Sequence, residues 1–318
     1  MLSRQSLIPW NSNNYKKVRK NYNIRKSLSV YRRGFFNYSN YGYSCVKFSR
    51  TMKRALISFI TFCFLIAAGC SPENAPVPEP PGKVIVLMYH RIVKGEASNL
   101  YERSIDKLES DLNYLKENNI KILTFSDLET ITATGSMPEG NSAIITFDDG
   151  DSSWYTLVRP LLLRYEVKAT FFLWTHMMGS DSFVTWEEVE DMSNYTLLNG
   201  ERPFTFGSHT YSHQYLFRNK AGFGTSAEYN SFLDYELGKS KEIIEKHTPG
   251  SVTILSLPYG DGAGDTEIIA AAQRNGYKFI RTSVWGAINN SGINLFAIPS
   301  LPILDTTEPK LIGTYLGL

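Results

Sequence analysis

From Lys83 onward the chain repeats one unit: a short apolar run with strand character, then a stretch with helical spacing. "KVIVLMYH" (83–90) comes first. In "SIDKLESDLNYLKENN" (104–119), Ile105, Leu108, Leu112 and Leu115 share one helical face, and Ser104 stands where a cap belongs. "KILTF" (121–125) and "SAIITF" (142–147) read as strands, followed by a helix through "WYTLVRPLLLRY" (154–165). The strand "KATFFLW" (168–174), a helix over 185–194 and the strand "FTFGS" (204–208) come next. A long helix over 228–247 sets Tyr229, Phe232, Leu233, Leu237 and Ile244 on one side. "VTILSL" (252–257), "DTEIIAAAQRNG" (265–276) and "KFIRTS" (278–283) continue the alternation. Parallel neighbours need a long crossover, which a helix supplies, so this repeat predicts an α/β fold with a largely parallel sheet or barrel.

In such folds ligands gather at the carboxyl ends of the strands. Polar clusters stand at four predicted ends: His90, Asp148–Asp149, Ser208–His209 and Pro258–Tyr259. The adjacent carboxylates repel, which raises one pKa unless a positive partner sits with them. A turn explains one Asp, not the pair. His209 and His213 supply a reason for the second. At i, i+4 they are expected on one side of a helical turn, and with one carboxylate they make a His₂-Asp set for a divalent cation, Zn²⁺ or a similar ion.

"TFDDG" (146–150), "SHTYSH" (208–213) and "LPYG" (257–260), in this order and spacing, resemble the polysaccharide deacetylase (NodB-homology) family. "VLMYHRI" (86–92) and "KATFFL" (168–173) fit it too, and the similarity runs from about residue 83 to about 303. The resemblance implies a distorted (β/α) barrel of about seven strands. It implies Asp148 as general base, Asp149, His209 and His213 as metal ligands, and the backbone N–H of Tyr259, after Pro258, as an oxyanion donor. The reaction implied is removal of an N-acetyl group from an amino-sugar polymer: poly-N-acetylglucosamine, peptidoglycan or a chitin-like chain. Pro258 and Trp285 are the substrate-binding candidates, with Trp285 either a wall of the acetyl pocket or a plain core residue.

Three family features are altered. Ser256 stands where many members carry an Arg that orients the base, so the base is expected to be held less firmly or by another residue. The Asp-x-x-Asp-Trp pattern is not evident in "RTSVWG" (281–286), and the late segment "LFAIPSLPI" (295–303) lacks the His that usually serves as general acid. Of five His, His247 ends a long helix and reads as structural, and His176 follows a strand near the mouth. His90 is the acid candidate. A "YH" near the start lies at the site in the branch acting on poly-N-acetylglucosamine, which this chain resembles. An O-acetyl esterase and a carbohydrate-binding pseudoenzyme remain the alternatives, the latter favoured by Ser256 and the missing late His.

The front of the chain has another character. Residues 1–51 hold 11 Lys/Arg and no Asp or Glu, leaving 22 Lys/Arg against 31 Asp/Glu in the rest. Met52-Lys53-Arg54, the 14 mostly apolar residues 55–68 and Gly69-Cys70 follow the order of a secretory signal. That run is short for a membrane span, which needs ~20 residues. "AAGC" resembles a lipobox, so residues 52–70 read as a lipoprotein signal with Cys70 as the lipidated first mature residue. Residues 1–51 then read as mis-assigned upstream sequence or a disordered basic segment; the alternatives are a true basic extension and a bare membrane anchor. Residues 71–82, five of them Pro, read as a stiff linker, and 83–318 as the catalytic domain. Two cysteines, Cys45 and Cys63, lie upstream of Cys70, so the mature chain has no intramolecular disulfide. The expected place is the cell envelope, on a bacterial membrane through the lipid, with Ser71 favouring the outer one. The expected partner is an N-acetylated polysaccharide. Nucleic-acid binding rests only on the first 51 residues and is not expected.

Overall fold

The computed structural model describes residues 81–289 and 292–318. The expected signal, Cys70 and nearly all of the linker lie outside the described residues. Among these, no helix is long and apolar enough to cross a membrane.

The predicted strands form one mixed sheet. Its main path joins β10 (Ala287–Ile288), β1 (Val84–Tyr89), β5 (Ser142–Asp149), β6 (Ala169–Leu173), β7 (Phe204–Ser208), β8 (Ile254–Ser256) and β9 (Phe279–Arg281). β4 (Lys121–Ile122) pairs with β5, and β11 (Leu301–Pro302) with β1. The steps from β1 to β9 are all parallel; only β10 runs antiparallel, at the β1 edge. The sheet curls into a half-barrel with helices on its outer face, as the α/β barrel expectation requires.

Strand alternation divides the core in two. Ile85, Leu87, Ala143, Ile145, Phe147, Phe171 and Leu173 face outward. They pack on α1 (Ile105–Glu117), α3 (Arg159–Arg164), α4 (Trp186–Asn194), α5 (Ser226–His247) and α6 (Thr266–Arg274). Val84, Val86, Ile144, Phe172, Ile254 and Phe279 face inward. α1 begins at the expected cap, where the Ser104 side chain accepts from the Lys107 N–H at 3.2 Å.

The structure departs from expectation in three places. The strand foreseen over 121–125 stops at Ile122, and Phe125 opens a helix, α2 (Phe125–Thr134). Asp127 caps it by accepting from the Thr124 N–H at 2.7 Å, and Gly135 ends it in the left-handed conformation. Its Phe125 and Leu128 join the inner cluster. The helix foreseen through 154–165 begins instead as a π-helical turn, Trp154–Val158, before α3. The short strands β2 (Arg91–Val93) and β3 (Glu102–Ser104) form a separate parallel pair, and α7 (Lys310–Leu316) closes the chain. Neither the pair nor α7 has a long enough periodic stretch to be read from sequence.

Candidate metal centre

Two adjacent residues of a regular strand point to opposite faces, so Asp148 and Asp149 cannot share a site by strand geometry alone. Asp148 continues the inward series after Ile144 and is buried. Asp149 would point outward, but its φ of 86° ends the pleat. Its Oδ1 then lies 3.4 Å from both His209 Nε2 and His213 Nε2. Among the described residues, Asp149, Thr210, His213 and Tyr259 are four of the seven non-glycine positions with positive φ. Such strain concentrates where a site needs exact placement of side chains.

The helical turn expected for His209–His213 is absent. After β7 the chain is a coil held by side chains. The Ser208 hydroxyl accepts from the Thr210 N–H at 3.1 Å, and the Thr210 hydroxyl accepts from the His213 N–H at 3.1 Å. The buried carboxylate of Glu236, on α5, accepts from the Ser212 N–H at 2.9 Å. Left-handed Thr210 and His213 fold the coil so that both imidazoles still converge.

The two Nε2 atoms face each other at 3.1 Å. His209 Nδ1 lies 3.0 Å from the Ser256 carbonyl, which can only accept, so Nδ1 carries a proton and Nε2 is the nitrogen turned to the site. Burial, first, and the neighbouring His209 push the His213 pKa down, which favours the neutral ligand form. Burial works to raise the Asp149 carboxyl, but its imidazole neighbours His209 and His213, and then His90, outweigh it and hold it well below the usual range. Tetrahedral bonds of 2.0–2.1 Å imply ligand atoms ~3.3 Å apart. The spacings here, 3.1, 3.4 and 3.4 Å, fit that requirement. The donor set of one carboxylate and two imidazoles suits Zn²⁺ or a similar divalent ion.

Asp148 lies beside this set, its Oδ2 3.9 Å from His209 Nε2. Oδ2 is ion-paired to the fully buried Arg281 and accepts from the Ser256 hydroxyl at 3.3 Å. Oδ1 is buried without a partner. Arg281 also hydrogen-bonds the Ser256 hydroxyl and lies over the Phe172 ring at 5.2 Å. Of the two expectations raised by Ser256, the second holds: another residue orients Asp148. The cation comes from the next strand, where Arg281 is the registered neighbour of Ser256, and the small serine leaves room for it. Sequence reasoning passed over Arg281. The available signal was a charge in phase with Phe279 on an apolar strand.

His90, Arg91, Tyr101, Asp148, Asp149 and Phe183 line a cleft of about 220 Å³. The His90 carbonyl accepts from the Trp154 indole at 3.1 Å, and its own Nδ1 is buried without a partner. Tyr259 projects over His213, its hydroxyl 3.1 Å from Nδ1, while Pro258 is buried beneath. Trp285 is 48% exposed beyond β9, so the plain core reading does not hold. The indole at the centre is Trp174, stacked on His213 at 4.7 Å. His176 hydrogen-bonds the Tyr211 hydroxyl at 3.2 Å, and His247 stacks on Trp186, away from the cleft.

Residues 135–280 match the family model for polysaccharide deacetylase. The chain is 26% identical over 269 residues to the poly-beta-1,6-N-acetyl-D-glucosamine N-deacetylase of Staphylococcus epidermidis, covering 79% of this chain and 89% of that protein. Among solved structures, the Streptococcus pyogenes deacetylase PplD in complex with acetate superposes with a TM-score of 0.63 at 21% identity, over 74% of this chain and 99% of that one. A de-N-acetylase from Aggregatibacter actinomycetemcomitans gives 0.63 at 20% identity, over 74% and 100%. At these identities the superpositions speak to the fold.

Proposed function

This chain carries a polysaccharide deacetylase domain, and from that premise we propose that it is a metal-dependent hydrolase removing N-acetyl groups from an amino-sugar polysaccharide. The observation that carries the reading is the convergence of Asp149, His209 and His213 within one ion's reach, with the Asp148 carboxylate beside them, its Oδ2 3.9 Å from His209 Nε2 and its Oδ1 unpartnered. Poly-N-acetylglucosamine is the favoured polymer, supported by the activity named for the staphylococcal relative.

Asp149, His209 and His213 would hold the ion. When bound, it supplies Lewis-acid polarisation of the acetyl oxygen and lowers the pKa of water. Asp148 takes the proton of the attacking water through Oδ1, while Arg281 and Ser256 hold Oδ2 and fix the carboxylate plane. The backbone N–H of Tyr259 donates to the oxygen that gains charge as the acetyl carbon becomes tetrahedral. His90 gives a proton to the departing amine as the C–N bond breaks, releasing acetate and a free amino sugar. The impaired-binder alternative loses one of its two grounds, because Arg281 supplies the cation that Ser256 lacks.

The test is acetate release from poly-β-1,6-N-acetylglucosamine oligomers by the purified chain, before and after chelation. Release that chelation abolishes and Zn²⁺ restores is expected. Bound metal with no acetate from any N-acetylated glycan supports a binding protein instead; acetate from O-acetylated polymers alone supports the esterase.

The lipidated Cys70 and an envelope location remain part of this proposal, supported by the order of charged, apolar and small residues over 52–70. Mass spectrometry of the mature N-terminus decides it: an unmodified Cys70 or an intact residue 1–51 segment rules it out.

A further inference from the structure

His213 is the outer member of the proposed ligand pair, and its two ring nitrogens face different partners. Nε2 faces Asp149 Oδ1 at 3.4 Å; Nδ1 faces the Tyr259 hydroxyl at 3.1 Å. His209 has a carbonyl to fix its tautomer, whereas His213 has this phenol. The ring is also held on both faces. Trp174 stacks on it at 4.7 Å and 25°, and Tyr259 meets it edge-on at 4.7 Å and 64°.

Tyr259 is itself braced. Its φ of 58° turns the side chain back over the site. Tyr215 stacks on it at 4.2 Å and 22°, and the Arg218 guanidinium lies 4.6 Å from the Tyr215 ring. Asp261 anchors that loop by accepting from the Phe217 and Arg218 N–H groups at 2.7 and 3.0 Å. Although 57% of Tyr259 is exposed, its phenol is therefore held over Nδ1 by a layered column.

We infer that the Tyr259 hydroxyl is a positioning group for the cation site, accepting the Nδ1 proton of His213 so that Nε2 presents its lone pair to the ion. This rests on the metal-centre reading and adds to it. The residue read from sequence for its backbone N–H acts through its side chain as well. A ring partner of this kind orients a ligand and raises its basicity, and its loss typically costs about 10- to 100-fold in metal affinity.

The experiment titrates the full-length apoprotein with Zn²⁺ against a chromophoric chelator, and with Co²⁺ followed by its visible bands. Tyr259→Phe keeps the backbone N–H, the ring and the stack, and removes only the oxygen. It is expected to weaken Zn²⁺ about tenfold or more and to shift the Co²⁺ bands, with the apoprotein melting temperature unchanged. Tyr215→Ala, which frees the phenol to swing, should move affinity the same way by a smaller factor. If Tyr259→Phe binds Zn²⁺ as tightly as the parent, the inference is overturned and the hydrolase reading stands. If the parent takes up neither metal, both fall.

Discussion

Arg281 and Asp148 are paired across the curl of the sheet, from β9 to β5, with three strands between them. In a flat sheet that separation is ~19 Å, four strand spacings. Only because the sheet closes toward a half-barrel do the guanidinium and carboxylate meet, with both side chains buried. The base of the proposed reaction is thus held by a group that belongs to a different part of the chain.

Arg281→Met should leave Asp148 buried and uncompensated, destabilising the fold by about 3–5 kcal/mol. Arg281→Ser should lower kcat far more than it raises KM. Lys at 281 restores charge without the planar fork and should recover only part of the rate. The decisive variant is the exchange Ser256→Arg with Arg281→Ser, which moves the cation to the neighbouring strand. Higher kcat in the exchange than in Arg281→Ser alone is expected; equal rates would falsify the tether.

The two adjacent aspartates should separate by function. Asp148→Asn is expected to keep its metal content and lose about 10²–10⁴-fold in kcat. Asp149→Asn should lose the ion, as seen by metal analysis after dialysis. Equal metal loss in both variants contradicts the assignment.

His90→Ala should cut turnover by about 100-fold or more with metal content unchanged. Its unpartnered Nδ1 in the cleft motivates the prediction. A variant with parental kcat removes His90 from the reaction.

Exposure predicts little consequence for Trp285. Trp285→Ala should leave kcat/KM within about twofold, a surface-sized effect. Trp174→Leu, which removes the ring stacked on His213, should weaken Zn²⁺ binding measurably. The reverse ranking would return Trp285 to the site.

Glu102, at the cleft, gives a pH signature. The Ser98 N–H, donating at 2.6 Å, is the chief cause that lowers its carboxyl; burial opposes this and Arg91 assists. A lowered folded pKa means that this stabilisation is present above the ordinary value of 4.5 and is lost as pH falls through the folded one. Thermal melts between about pH 5 and 3 should therefore fall less steeply in Glu102→Gln than in the parent. Parallel curves reject the assignment.

The candidate ligand and base positions were legible because each pair is local. Asp148 with Asp149, and His209 with His213, sit within five residues, and local spacing survives into any fold that orders the segment. Their backbone was not legible. The left-handed φ values at Asp149, Thr210 and His213 replace an expected strand end and helical turn, and no periodicity announces them. α2 was missed because its apolar face is only Phe125, Leu128 and Ile131, diluted by threonines that favour extended chain.

The sequence by itself determined the α/β alternation and which short motifs are candidates for the chemistry, since hydrophobic period and residue type are local properties. The tertiary structure alone decided which cation holds Asp148, which phenol meets His213, and that Trp174 stacks on that imidazole. Those partnerships depend on the curl of the sheet and on the loops at its carboxyl edge, which set distances between residues far apart in the chain.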